Sequence, residues 1–185
     1  AGKLIDFNTS GIMWSEEKPG IIAHIPAMLD RMRSKNAAAV HPLRSEKSWK
    51  TYPASQEGSE KLADTVGNNL FTKWGEDKLD LMHGPIIVDP KYLPFLIDTD
   101  RVVKNSKVPD TYVQHYTPIW MRHEGLTVAS VEVDITYPSA QKTQEEGPLA
   151  LEMMAKRLWQ AQSLVEAYFT LYRHWFLNKN IGKGV

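Results

Sequence analysis

The last fifth of the chain constrains the fold most. Leu151, Met154, Leu158, Ala161, Val165, Tyr168, Tyr172 and Trp175 follow one another at steps of 3, 4, 3, 4, 3, 4 and 3 residues. That is the a/d spacing of one helical face. Gly147-Pro148 supplies its start, since proline is accommodated in the first turn of a helix, and the expected helix covers about 148–178. At 1.5 Å per residue it is about 45 Å long, comparable to the diameter of a compact domain of this size. The 185 residues are fewer than the number at which chains usually divide. With no repeat, low-complexity tract or linker in view, a single domain over 1–185 is expected.

Stepping 100° per residue from Glu152 puts the apolar arc of this helix at about 100–260°. Trp159 and Leu177 fall together near 340°, on the polar side. Two large apolar groups there predict a second contact surface.

The rest of the chain predicts an α+β fold. A short helix is expected over Pro26–Lys35, with Met28, Leu29 and Met32 inward and basic residues at its C-terminal end, where the helix dipole favours cations. A second is expected over Ser59–Trp74, with Leu62, Val66, Leu70 and Trp74 on one face and Gly75 after its end. Pro85–Val88 reads as a short buried strand and Lys91–Asp98 as one helical turn. Residues 111–122 and 126–137 read as an antiparallel hairpin joined by His123-Glu124-Gly125, a three-residue loop with glycine in the left-handed position. Ala129, Val131, Val133, Ile135 and Tyr137 alternate with polar residues, giving one buried and one polar face, and Pro118 makes the first strand an edge or a bulged one. The hairpin sheet is expected to pack on the C-terminal helix. Residues 1–20 and 36–58 read as irregular. The first is an N-terminal arm with apolar anchors such as Trp14, and the second carries Trp49 and Tyr52.

Several chemistries are excluded or weakened. The chain has no cysteine, which removes disulfides, thiolate catalysis and thiolate-held metals. Its six histidines include no i, i+2 or i, i+4 pair, so no metal site is expected, and no cofactor either. Phosphate-cradling glycine loops, a GxSxG elbow and HExxH are absent. Twenty-two basic residues balance 22 acidic ones, so no global field draws nucleic acid or an anionic membrane. No apolar run is long enough to span a bilayer, and no signal peptide opens the chain. The expected location is therefore cytoplasmic or within a virion. Ala1-Gly2 has the small residue beside which an initiator methionine is normally removed, and Ala1 is read as the mature start.

In the hairpin register that pairs Arg122 with Leu126, His115 faces Val133 while Glu132 and Asp134 face Tyr116 and Gln114. No carboxylate then orients the histidine as a base. The polar face instead gathers Tyr112, Tyr116 and Trp120 against Glu132 and Asp134. Such a face suits a protein interface, a plain half-exposed sheet surface, or a small-molecule cleft with Glu132, Asp134 and Tyr116 as its chemistry.

Six tryptophans and seven tyrosines, two irregular segments with apolar anchors, and the absence of a catalytic motif favour one function class. The expectation is a non-enzymatic structural subunit of a larger particle or complex, such as a virion, a phage tail or neck, or a multisubunit complex. Its partners would be copies of itself, other subunits or both, met through Trp14, Trp49, Tyr112, Tyr116, Trp120, Trp159 and Leu177. The alternative is a small α+β enzyme or ligand-binding protein using the aromatic and acidic hairpin face.

Overall fold

The structure, a computed structural model, describes residues 4–6, 20–83, 85–97 and 113–177. The chain is α+β, with seven α-helices and a mixed sheet among these residues. The strands are β1 (Leu4–Asp6), β2 (Ala39–Arg44), β3 (Ile86–Val88) and β4 (Val128–Val133), in the order β1-β3-β2-β4. β3 is antiparallel to both β1 and β2, whereas β4 runs parallel to β2, from Ala39 opposite Val128 to Arg44 opposite Val133. The expected purely antiparallel sheet is thus corrected to a mixed one.

Helix α1 (Ile25–Lys35) follows a 3-10 turn, with Pro26 in its first turn and Met28 and Met32 buried as expected. It ends at Asn36, held left-handed at φ 47°, with the Ala37 amide bonded to the Met32 carbonyl. Residues 36–58 are not irregular. They form β2, the short α2 (Glu46–Trp49) capped by the Ser45 side chain, and the start of α3 (Ala54–Phe71). Pro42 interrupts the pattern without excluding a strand, because β3 pairs only with Ala39 and Val40 and leaves that stretch of β2 free on one side. Part of the N-terminal arm is likewise regular, as β1.

α3 starts five residues earlier than expected and is rotated. Its buried side is Gln56, Ser59, Glu60, Ala63, Gly67 and Phe71, while Leu62 and Trp74 are exposed. α4 (Pro94–Ile97) follows a 3-10 turn at Pro90–Tyr92, where one turn was expected.

The largest correction concerns the hairpin. Residues of its first strand form a helix, α5 (Val113–His123), with Pro118 inside it. From His115 to Arg122 every residue of α5 is buried, and the run keeps a helical period, but a proline in its interior is a feature that normally argues against a helix. Gly125 is left-handed as expected, at φ 81°, but it closes α5, with the Leu126 amide bonded to the Met121 carbonyl. The second strand survives in part, as the six residues of β4. Its burial does not alternate cleanly, since Val128 and Ala129 are both buried and Val131 is half-buried, and Ile135 and Tyr137 lie beyond its end. Val133, Ile135 and Tyr137 are buried and Glu132 is exposed.

α6 (Ser139–Glu146) and α7 (Ala150–Tyr172) end the described fold, and a π turn continues α7 through Arg173–Leu177. Gly147 marks the corner between them, where a Cβ would stand 2.8 Å from the Thr143 carbonyl oxygen. α7 packs on α3. Gly67 permits this approach, since a Cβ there would meet Tyr168 Cε2 at 3.0 Å and overlap Leu81 Cδ1. Two apolar clusters fill the interior, one between the sheet, α5 and α7, the other between α1, the sheet and Trp49, Tyr52 and Tyr137.

Candidate functional site

Two features stand out beyond ordinary packing: a polar centre beneath the sheet and the outer side of α7. The polar centre is built on Arg44 at the end of β2. Its guanidinium is buried and bidentate on Asp80, with Nε 2.6 Å from Oδ2 and Nη2 2.7 Å from Oδ1, and Nη2 also meets Glu60 Oε2 at 2.7 Å. The Trp49 ring covers it at 3.7 Å. Burial alone would lower the Arg44 pKa, but the two carboxylates reverse this and raise it well above its usual value. Arg44 in turn outweighs the burial of Asp80 and holds that carboxyl well below the normal range. Asp64, beside Asp80, moves the other way. Burial, then the Asp80 charge, raise it well above the usual carboxylate range, as expected when two acids share a site.

Three histidines converge on the same centre. Burial lowers His41 to about 4, His83 to about 3, and His115 below its ordinary value. His115 Nδ1 lies 2.7 Å from the Leu81 carbonyl, whereas His41 Nε2, His83 Nδ1 and the Tyr168 hydroxyl are buried without a hydrogen-bond partner among the described residues. Among the described residues, no group of three or more His, Asp or Glu could hold a metal ion. A cavity of about 350 Å³ opens over Arg44, Asp64 and Asp80, rimmed by Lys61, Lys78 and Glu132. Its floor is internally satisfied. Asp80 takes the Arg44 fork and the Arg44 amide, Asp64 takes the Met82 amide, and Asn68 is spent on Asp64, Thr72 and Leu79.

α7 presents the second feature. Its expected seam splits in two. Ala161 and Tyr168 pack against the body and Trp175 follows them in the π turn, whereas Leu151 is 84% exposed, Met154 48% and Leu158 60%. On the 100° wheel the packed side spans about 60–180° and the exposed apolar stripe about 200–260°. This outer stripe carries Leu151, Leu158, Val165 and Tyr172 at intervals of seven, and a second row, Ala155, Gln162, Phe169 and Phe176, alternates with them along its edge at about 240–300°. Phe169 is 49% exposed, Phe176 38%, and Val165 and Tyr172 are half-buried. Tyr172 and Phe176 also touch Phe71 of the body, and Phe176 touches His123, so the second heptad pattern faces outward from Leu151 to Phe169 and is shared with the body beyond.

No protein-family model, curated protein or solved structure matches this chain. Geometry alone therefore assigns the sites.

The residues singled out from sequence are dispersed. Trp14 and Tyr112 lie outside the described residues, as does the side chain of Leu177. Trp49 is a core residue stacked on Arg44. Tyr116 and Trp120 are not on a sheet face. They lie on α5, in the core, with the Trp120 ring 4.6 Å from that of Phe95. Glu132 is exposed on the cavity rim. Asp134 accepts bonds from Ser45 Oγ at 2.6 Å and Lys47 Nζ at 3.0 Å, which keep its carboxyl below the usual range. The supposed aromatic and acidic face is therefore not assembled from its described members. Trp159 alone remains an open apolar group, 63% exposed. The polar centre was missed because its members are far apart in sequence. The outer α7 stripe had a signal, the seven-residue spacing from Leu151 to Tyr172, which the merged seam concealed.

Among the described residues no helix is long and apolar enough to cross a membrane.

Proposed function

We propose that the protein is a non-enzymatic structural subunit of a larger oligomeric particle or complex, acting through protein–protein contacts with copies of itself, other subunits or both. The outer stripe of α7 carries this reading. Leu151, Met154, Leu158 and Trp159 expose large apolar surface over little more than two turns, and contiguous apolar patches on soluble proteins mark interaction surfaces. Fully burying one such side chain contributes about 1.5–3 kcal/mol. Several together offset an association cost of about 4–15 kcal/mol.

The test is a photo-crosslinking amino acid at position 159, in the cells that make the protein. A discrete protein adduct, lost when Leu158→Glu is added, is expected. Absence of any protein adduct overturns the proposal.

A second reading, small-ligand binding, is favoured by the cavity over Asp64 and Asp80. Arg44, Asp80 and Asn68 in its floor are hydrogen-bonded, and Lys61 on its rim is paired with Glu46 and Glu57, which weakens this reading. The mutual pairing of Arg44 with Asp80 and Glu60 supports a structural role for that network.

A further inference from the structure

The outer stripe of α7 also suits one particular partner, and naming it rests on the interaction reading above. We propose that α7 pairs side by side and antiparallel with α7 of a second copy of this chain.

The heptad pattern gives the register. Leu151, Leu158, Val165 and Tyr172 occupy one core position and Ala155, Gln162, Phe169 and Phe176 the other. In an antiparallel pair each layer joins one position to the other. With the two-fold axis between Ser163 and Leu164, Leu151 lies opposite Phe176 of the second copy, Leu158 opposite Phe169, and Val165 opposite Gln162. Every outer layer then joins an aliphatic to an aromatic side chain. Gln162 enters the centre with its amide already held by Glu166 Oε1 at 2.9 Å, which lowers the cost of covering it.

Charge selects the direction. Glu152 and Arg173 both stand exposed beside the stripe, one near each end of the helix. The antiparallel register sets Glu152 against Arg173 of the second copy, and the two-fold repeats the pair. A parallel, in-register pair instead sets Met154 beside Trp159, Ala161 beside Glu166 and Tyr168 beside Arg173, with no opposite-charge pair, and stacks Gln162 on Gln162. The formal net charge is zero, so two copies approach without global repulsion. From Leu151 to Phe176 the contact extends about 37 Å along the helix.

The absence of cysteine allows a clean test. Leu158→Cys and Phe169→Cys are made separately on the full chain, mixed, and oxidised under mild conditions. Antiparallel pairing predicts a crossed disulfide between the two variants and little from either alone, since two copies of residue 158 would lie about 16 Å apart along the axis. Sedimentation at about 100 µM is expected to give twice the 21.0 kDa chain mass, and Leu158→Glu to give the monomer with an unchanged unfolding midpoint. Self-disulfides from each single variant overturn the antiparallel register. A monomeric wild-type mass at that concentration overturns self-pairing altogether. In that event an adduct of position 159 with a different protein still upholds the wider interaction reading, so the two failures are distinguishable.

Discussion

Two glycines of α3 make opposite predictions for the same substitution. Gly58 is exposed, and a Cβ built there meets nothing within 4 Å. Gly67 is buried where α3 crosses α7. A Cβ there stands 3.0 Å from Tyr168 Cε2 and overlaps Leu81 Cδ1. Both sit inside a helix, where alanine is favoured over glycine by about 1 kcal/mol. Gly58→Ala should gain about 0.5–1 kcal/mol, with nothing set against it. At Gly67 that gain meets overpacking of about 1–3 kcal/mol, because Leu81 and Tyr168 are 1% and 0% exposed and have no free space to retreat into. Gly67→Ala should therefore lose about 1–2 kcal/mol net. Urea unfolding reads both as midpoint shifts at unchanged m-value. A double variant tests the cause. Leu81→Ala removes the overlapping methyl, so Gly67→Ala in that background should cost markedly less than in the wild type. A rise in midpoint for Gly67→Ala equal to that for Gly58→Ala would refute the close α3–α7 contact.

Asp80→Asn should destabilise by about 3–5 kcal/mol, because it strips Arg44 of its bidentate partner in a buried site; a loss under about 1 kcal/mol in urea unfolding would contradict the buried network. Acidification should destabilise the fold between about pH 6.5 and 4. His41 and His83 remain neutral down to about 4 and about 3 in the folded chain, whereas unfolding restores a pKa near 6.5, so the unfolded state binds more protons in that window. The raised Asp64 carboxyl opposes part of this uptake, so the slope stays below about 2.7 kcal/mol per pH unit, the value two protons would give, readable from urea midpoints at a series of pH values. Trp159→Ala should weaken association measured by sedimentation while moving the melting temperature of the dilute monomer by less than about 2 °C, since Trp159 is 63% exposed. A large drop in melting temperature would place Trp159 in the chain's own packing instead.

What was legible in the sequence was decided by whether an element buries one side or all of itself. α1 and β4 each have a polar and an apolar side, so Met28 and Met32, or Val133 and Glu132, declare the period and the facing. α5 does not. His115, Tyr116, Thr117, Ile119, Trp120 and Met121 are all interior, and although the run keeps a helical period, Pro118 in its middle and Gly125 after its end were read in the grammar of a hairpin. Gly125 shows how local physics underdetermines topology: the positive φ was correct, yet a left-handed glycine closes a helix as readily as it turns a hairpin. α3 failed for the converse reason. Much of its buried side is small and polar, because Gly67 admits α7 and Glu60 answers Arg44, so of the expected apolar face only Val66 and Leu70 pack on the core while Leu62 and Trp74 are exposed. Arg44, Glu60 and Asp80 name one another only through long-range folding, and no spacing rule reaches across 16 or 36 residues to pair them. α7 is the instructive intermediate. Its apolar arc was visible and its length nearly right, but an arc wider than one helix neighbour can cover implies two neighbours. The body takes the side of Ala161, Tyr168 and Leu171. Leu151, Leu158 and Phe169 face away from it, and a sequence that repeats them in register along most of a 23-residue helix specifies a second surface as definitely as it specifies the core.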